Sequence, residues 1–231
     1  MLRFQLGRIP VSVHFSFLLL LYFTYTWTGD LQEAALLGMG IFGGVLLHES
    51  GHALTARRFG AADVAISIFV LGGVTTYLPP TGLSAGRRFL IAAAGSALAI
   101  AGAIPVLFAV RSDLIASDTL EPIANGFIFA ALVWGLLNWV PIRPLDGGQM
   151  MTSALQIFWP EQGASIAKVI SVIFTGGAAI WLINSGQRLF AMYVVLIGLI
   201  GLRNDPGSQA RPERHQEPTR AENDPPPSFP L

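Results

Sequence analysis

The stretch His48-Glu49-Ser50-Gly51-His52 lies inside an apolar segment of membrane-spanning length, residues 34–59. Positions i and i+4 of a helix share one face, so the imidazoles of His48 and His52 can both reach one metal ion. Glu49 stands between them, where a metalloprotease with this motif carries its general base. Ionisable groups at membrane depth are costly and therefore point to a function. The alternative is a helix end at the interface whose polar side chains reach into water.

The composition is that of a membrane protein. Of 231 residues, 52% are hydrophobic and 12% are charged, whereas soluble chains carry about 25% charged residues. The mean hydropathy is +0.57. The formal net charge is zero, which gives no indication of a nucleic-acid partner. Because the chain has no cysteine, any zinc ligands must come from histidine and carboxylate oxygen, with or without asparagine.

Six segments approach the roughly 20 apolar residues that cross a bilayer. They cover residues 11–27, 34–59, 88–110, 123–140, 164–183 and 189–202. We therefore expect an all-α polytopic membrane protein with about six transmembrane helices. Arg3 and Arg8 precede the first segment as in a signal peptide, but no small-residue cleavage site follows, so we interpret this segment as a retained span.

A small β-hairpin is predicted between the second and third spans. Residues 64–70 place β-branched side chains at alternate positions, Gly72-Gly73 supplies a turn, and residues 74–77 form a second short strand. An open strand edge cannot face lipid, so the hairpin must lie at the interface or against the helices. It is either a plain connection or an edge that pairs with an extended substrate. The candidate substrate-binding residues are Val74, Thr75 and Thr76.

The arginine distribution predicts the orientation. Arginines precede span one, follow span two, precede span three and follow span six, and with six spans all of these positions lie on the cytoplasmic side. Both termini are then cytoplasmic, and the histidine pair lies toward the cytoplasmic half of the membrane. Residues 204–231 are rich in proline and are predicted to form a disordered cytoplasmic tail, which leaves residues 1–203 as one integral membrane domain.

Two histidines leave a catalytic zinc ion short of a third protein ligand. His215 falls in the tail, and His14 has no helical partner at a useful spacing. Asp146 is the better candidate, because span four ends on the same membrane side as span two. The alternative is that Asp146 only belongs to a turn that ends the helix. It lies in the stretch Asn138-Trp139-Val140-Pro141-Ile142-Arg143-Pro144-Leu145-Asp146-Gly147-Gly148.

The two elements together resemble the site-2 protease family of intramembrane zinc metalloproteases. That family carries H-E-x-x-H in one transmembrane helix and N-x-x-P-x-x-P-L-D-G-G two helices later, and residues 138–148 match the second element in full. The motifs anchor the resemblance over residues 41–148. The chain has Gly95-Ser96 where many members have a Gly-Pro pair, and it shows no PDZ or CBS domain, so a compact form is expected.

The resemblance implies a three-helix catalytic core, about residues 34–150, in which His48, His52 and Asp146 ligate Zn²⁺. It also implies that Glu49 acts as general base on a zinc-activated water and that Asn138 lies near the reacting carbonyl. Zinc lowers the pKa of bound water to about 7, which makes such hydrolysis feasible. The implied substrate is a membrane-anchored protein, such as an anti-sigma factor or another membrane-tethered regulator, cut in or near its transmembrane segment. Apart from the resemblance, the membrane composition and the lack of a targeting signal lead us to expect the plasma membrane as the location.

Two other functions stay open at this point. A zinc-binding or transporter-like membrane protein would retain the fold without proteolysis. A transporter should show repeat symmetry and paired broken helices, whereas the sequence has one broken element, near Pro141. A membrane metalloprotease of another kind, such as one that processes prenylated proteins, would leave residues 138–148 unexplained.

Overall fold

The computed structural model describes residues 1–70 and 72–203, so the predicted disordered tail lies outside the described residues. The strands are β1 (Leu2–Leu6), β2 (Ile9–Val13), β3 (Ala62–Phe69) and β4 (Gly72–Leu78). The helices are α1 (Leu18–Thr28), α2 (Leu31–Arg58), α3 (Ala85–Arg111), α4 (Leu120–Ile128), α5 (Gly135–Leu137), α6 (Asp146–Phe158), α7 (Gly163–Asn184) and α8 (Arg188–Arg203). The predicted fold class, a helical membrane protein with a small β-element, is confirmed.

Four helical segments of the described chain are long and apolar enough to cross a membrane. They are α2, α3, α7 and the continuous helix Leu120–Leu137, in which the π-helical segment Phe129–Trp134 joins α4 to α5. The predicted count of six spans is not confirmed. The segments predicted as spans one and six correspond to the shorter apolar helix Phe15–Thr28 and to the 16-residue helix α8, whereas a spanning helix needs roughly 20 residues.

Helix α2 is the central element of the fold. The Asp30 side chain caps its N-terminus by accepting a hydrogen bond of 2.8 Å from the backbone N–H of Glu33, which satisfies a donor that the helix itself leaves free. Arg57 and Arg58 occupy the last turn, where positive charge complements the helix dipole. Along its length α2 packs against α1, α3, α4, β3 and β4. It therefore carries the histidine motif in the middle of the bundle.

Glycines set the close approach of the neighbouring helices to α2. A Cβ on Gly40 would meet the backbone of Ile123 and Phe127 in α4, and a Cβ on Gly51 would meet the backbone of Ala94 in α3. From the other side, Gly126 of α4 lies against the backbone of α2. Small residues permit this backbone contact between membrane helices, whose association depends on packing because lipid is as apolar as their side chains.

A four-stranded mixed sheet lies beside α2, in the order β1-β2-β3-β4. The predicted hairpin is confirmed as the antiparallel pair β3–β4, with Ser67 opposite Val74. Its predicted turn is wrong, because Gly72 and Gly73 lie in β4 and pair with Phe69 and Ile68 of β3. Strands β1 and β2 form a second antiparallel pair, and β2 runs parallel to β3. Val11, Ile66 and Ile68 are fully buried in a cluster that also contains residues of α2. The sheet thus packs against the helix that bears the histidines, and β4 is brought next to them.

The predicted start of the first span is wrong. Residues 11–13 belong to β2, and α1 begins at Leu18 after a 3₁₀ turn. The missed signal is the alternation of apolar residues on either side of Gly7, in Leu2–Leu6 and Ile9–Val13. Such alternation is typical of strands, whereas the continuous apolar run from residue 15 onward is typical of a helix.

Gly40→Ala tests the packing of α2 on α4. The added methyl group meets the α4 backbone, and we expect the free energy of unfolding to fall by about 1–3 kcal/mol. Gly38→Ala is the matched control, because a Cβ there meets nothing within 4 Å and should be neutral or stabilise by up to about 1 kcal/mol. Unfolding in detergent micelles measures both variants, and equal stability would contradict the observed contact.

Candidate metal centre

Three potential metal ligands converge where α2 meets the start of α6. The Oδ2 atom of Asp146 lies 3.0 Å from Nε2 of His48 and 3.2 Å from Nε2 of His52. The two Nε2 atoms are 3.1 Å apart. The histidines are buried, with 4% and 7% of their surfaces exposed. Residues 98 positions apart in the chain thus present three ligand atoms to one point, as the sequence predicts.

The shape of this cluster fits zinc. Zinc binds imidazole nitrogen and carboxylate oxygen at about 2.0–2.2 Å in tetrahedral geometry, which separates neighbouring ligand atoms by about 3.3 Å. The three observed separations, 3.0, 3.1 and 3.2 Å, form a nearly equilateral triangle close to that size. Two imidazoles and one carboxylate are also a ligand set that catalytic zinc uses with one position left open. Within the described chain, His48, His52 and Asp146 form the only metal-competent cluster of this kind.

The orientation of His52 is determined by α3. Its Nδ1 atom lies 2.7 Å from the backbone carbonyl oxygen of Ile91. A carbonyl oxygen only accepts, so Nδ1 carries a proton. In the neutral imidazole that binds a metal, Nε2 then keeps its lone pair for the ion. Metal-binding histidines commonly use their second nitrogen in this way. On the same helix, Gly95 lies against the His52 ring, and a Cβ at this position would overlap the imidazole.

Asn138 lies beside the cluster. The Nδ2 atom of its side-chain amide lies 3.3 Å from Nε2 of His48. The same residue is tied to the ligand loop, because its backbone carbonyl accepts a hydrogen bond of 2.6 Å from the N–H of Gly147. Asn138 and Asp146 are therefore held in register with each other, and both face the histidine pair.

The loop between α5 and α6 folds tightly over the beginning of α6. A Cβ on Gly147 would meet the carbonyls of Trp139 and Val140, and a Cβ on Gly148 would meet the backbone of Ile142 and Arg143. Only glycine fits these two positions without movement of the backbone.

The C-terminal helices also hold this loop in place. The Ser171 hydroxyl of α7 accepts a hydrogen bond of 2.8 Å from the backbone N–H of Arg143. Gly201 of α8 lies directly against the backbone of Arg143 and Pro144. Arg143 itself is buried, with 7% of its surface exposed. The position of Asp146 thus depends on α7 and α8 as well as on the helices that carry the motifs.

Glu49 lies on α2 next to the histidines and contacts strand β4. Its side chain is buried, with 5% of the residue exposed, and its Oε2 atom accepts a hydrogen bond of 2.7 Å from the Thr75 hydroxyl. Gly73 lies against the same side chain, and a Cβ there would meet the Glu49 carboxylate. The arrangement places a carboxylate, two imidazoles and an aspartate in one small polar site among apolar helices.

The chain is similar in sequence to proteins named as zinc metalloproteases. It is 30% identical over 218 residues to "Putative zinc metalloprotease Rip3" of Mycobacterium tuberculosis, across 84% of this chain and 50% of that protein. It is 26% identical over 156 residues to "Zinc metalloprotease MJ0392" of Methanocaldococcus jannaschii, across 66% of this chain and 44% of that protein. No protein-family model matches the chain.

The chain is also similar in fold to a solved structure. It superposes on "Site-2 Protease from Methanocaldococcus jannaschii" with a TM-score of 0.60 and 20% sequence identity, over 87% of this chain and 94% of that one.

The chain belongs to the site-2 protease family.

Membership of the site-2 protease family agrees with the zinc cofactor expected from the sequence, since the relatives are named for zinc and the ligand cluster fits it. The four apolar helices are consistent with the membrane location of the protein. The chain spans about half the length of the curated relatives it matches, 50% for Rip3 and 48% for the Synechocystis protein "Putative zinc metalloprotease sll0528".

A cavity of about 430 Å³ opens onto the candidate metal centre. Its polar end carries His48, Glu49, His52, Asn138 and Asp146, and strand β4 and helix α8 form parts of its walls. Tyr77 lies in the β4 wall, and burial raises the pKa of its phenol above the usual value. The candidate ligands of this site-2 protease family member thus lie at one end of an open cavity.

The three hairpin residues that the sequence predicts as substrate-binding do not all line the cavity. Val74 and Thr75 line the cavity, while Thr76 is exposed and its hydroxyl makes a contact of 3.5 Å with the Ala65 carbonyl of β3. His14, the other described histidine, ends a strand by donating its backbone N–H to Ile68 and is not part of the ligand cluster. The sequence analysis missed three contacts. Thr75 and Gly73 both contact Glu49, and Gly95 contacts His52.

Gly95→Ala tests the fit of His52 against α3. The methyl group would displace the imidazole, and we expect zinc affinity to fall by about 10–100-fold, the loss typical when the support of a metal ligand is removed. Gly86→Ala, on the first turn of the same helix, faces open space and should bind zinc as the native protein does. Zinc competition against a chelating dye measures both, and unchanged affinity in Gly95→Ala would show that the His52 ring is free to shift.

Proposed function

We propose that this protein is an intramembrane zinc endopeptidase that hydrolyses a peptide bond in or near the transmembrane segment of a membrane-anchored protein. The observation that carries the proposal is the convergence of His48, His52 and Asp146 beside Glu49, on a helix long enough to span a bilayer. Membership of the site-2 protease family supports metalloprotease chemistry. The location of the motif on an apolar helix supports a substrate that is itself embedded in the membrane.

In this proposal His48, His52 and Asp146 hold the zinc ion. Bound zinc supplies a Lewis acid that polarises the scissile carbonyl and lowers the pKa of water. Because two neutral imidazoles and one carboxylate would offset only part of the 2+ charge of the ion, the loaded site would stay net positive and favour the negative charge that develops on the substrate oxygen. The proton on Nδ1 of His52, donated to Ile91, keeps its Nε2 available as a ligand.

Glu49 acts as the general base in the proposed mechanism. It lines the cavity beside the ligand cluster, so its carboxylate can accept the proton of the attacking water and then deliver it to the leaving amine. Asn138 offers an amide N–H group 3.3 Å from Nε2 of His48. There it can donate to the substrate carbonyl oxygen as negative charge grows on it.

The substrate enters as an extended strand. A transmembrane helix satisfies its own backbone hydrogen bonds, and each one lost in lipid costs several kcal/mol, so the unwound substrate needs replacement partners. Strand β4 is at one end of the sheet order and lines the cavity through Val74 and Thr75. Its unpaired edge can supply those partners by strand addition.

The proposed location is the plasma membrane, with both termini and the metal centre toward the cytoplasm. Arg57 and Arg58 end α2, and Arg87 and Arg88 begin α3, so four positive charges gather at the end of the bundle nearest the histidines. Positive charge marks the cytoplasmic side of membrane helices. Substrates of this class would be membrane-tethered regulators such as anti-sigma factors, released into the cytoplasm by cleavage.

Glu49→Gln tests the general base. The amide keeps the size of the side chain and an oxygen acceptor for Thr75 but cannot take up a proton, so we expect cleavage of a single-span test substrate to fall by about 10²–10⁴-fold. Zinc content, measured by mass spectrometry of the purified protein, should stay at the native level. Asp146→Asn is the matched comparison and should lose zinc as well as cleavage. Equal cleavage by the native protein and Glu49→Gln would refute the assignment, and a zinc-loaded native protein without cleavage would favour a non-proteolytic role.

Cross-linking tests the substrate path along β4. The chain has no cysteine, so Val74→Cys in the Glu49→Gln background introduces a single thiol at a residue that is 45% exposed. We expect it to form a disulfide with a substrate that carries one cysteine near the scissile bond. Leu2→Cys, at a 64% exposed position on the opposite edge strand β1, is the control and should not react. Equal yields at the two positions would argue against strand addition at β4.

A further inference from the structure

Among the residues that the structure describes, only Thr75 donates a side-chain hydrogen bond to the Glu49 carboxylate. Its Oγ1 atom is 2.7 Å from Oε2 of Glu49 and 3.0 Å from the backbone carbonyl oxygen of the same residue. A hydroxyl has one proton, and both of these oxygens only accept. The bond to the ionised carboxylate is shorter and charge-assisted, and such bonds are about twice as strong as neutral ones. The proton of Thr75 therefore belongs to the carboxylate.

Strand β4 confines the Glu49 side chain at a second point. Gly73 and Thr75 are two residues apart and so lie on one face of the strand, and both contact Glu49. A Cβ on Gly73 would lie 2.8 Å from Cδ and 2.8 Å from Oε1 of the carboxylate. One carboxylate oxygen is thus held by the Thr75 hydroxyl, while the other passes close to a glycine that leaves it room.

We propose that Thr75 is a positioning residue for the general base. Its hydroxyl holds Oε2 of Glu49, which fixes the rotamer of the side chain and leaves Oε1 to accept the proton of the attacking water. This inference rests on the proposed function of Glu49. It also separates Thr75 from its neighbour in the strand, because Val74 remains a candidate for contact with substrate while the Thr75 hydroxyl is engaged with the protein itself.

The energetic reason for such a residue lies in the site. Glu49 is buried on an apolar helix, and a buried carboxylate without a hydrogen-bond donor pays a large desolvation cost. Without Thr75 the side chain would lower that cost by turning to another rotamer or toward the imidazoles. Either movement would take the base out of line with the scissile bond while leaving the ligand cluster intact.

Thr75→Val and Thr75→Ser test the proposal against the native enzyme. Valine keeps the shape of threonine and removes the hydroxyl, so we expect kcat to fall by about 10–100-fold, the usual loss when a hydrogen-bond partner of a site residue is removed. KM, zinc content and melting temperature should stay near native values, and serine should restore most of kcat. Thr24→Val is the matched control, since the fully buried Thr24 hydroxyl bonds only to carbonyls of its own helix and its loss should leave kcat unchanged.

The double variant Glu49→Gln/Thr75→Val identifies the residue through which Thr75 acts. If Thr75 acts through Glu49, its removal should not lower the residual cleavage of Glu49→Gln any further. Independent, multiplicative losses would overturn the proposal. Thr75→Ala, which cannot overpack the strand, provides the same measurements if Thr75→Val is not recovered folded.

The remaining outcomes separate this inference from the proposed function. Native kcat in Thr75→Val, in a preparation where Glu49→Gln is inactive, would overturn the role of Thr75 alone. A loss confined to KM would assign the hydroxyl to substrate binding and also overturn it. A fall in zinc content or melting temperature that serine does not restore would show a structural role instead. Absence of cleavage by the native protein would instead count against the proposed function.

Discussion

The close approach of His48, His52 and Asp146 is the constraint on which the structure depends. Three polar atoms within 3.2 Å of one another are unfavourable among apolar helices unless each group has a partner. Two further contacts at the site supply such partners: His52 donates to the Ile91 carbonyl, and Glu49 accepts from Thr75. Among the described residues, Nδ1 of His48 is buried without a hydrogen-bond partner. The glycines at positions 51 and 95 allow α2 and α3 to approach closely enough for the contact of His52 with Ile91.

The sequence predicted those parts of the site that depend on local geometry. His48 and His52 are one helical turn apart, so any helix places them together, and the direction of span four brings Asp146 to the same end. The four-stranded sheet was not predicted in full, because β2 joins β3 by a parallel pairing of Val11 with Ile66, which no local pattern reveals. The roles of Thr75 and Gly95 depend on which face of a strand or helix meets a neighbouring side chain. That information appears only when the elements are packed.

Strand β4 combines a contact with Glu49 and an edge of the sheet in one element. Its face holds the side chain of Glu49 through Gly73 and Thr75, and its edge is the last in the sheet order. β4 is fixed in turn by its pairing with β3, whose inward side chains pack on α2. The element that would receive an extended substrate is thus built on the same framework as the catalytic groups.

The contacts of α7 and α8 with the loop before Asp146 have a consequence for any shortened form of the chain. Ser171 holds the backbone of Arg143, and Gly201 packs on Arg143 and Pro144, so the third ligand depends on residues more than twenty positions downstream of it. A fragment trimmed after α6 would keep all three candidate ligand residues yet lose the two helices that hold the loop before Asp146 in place.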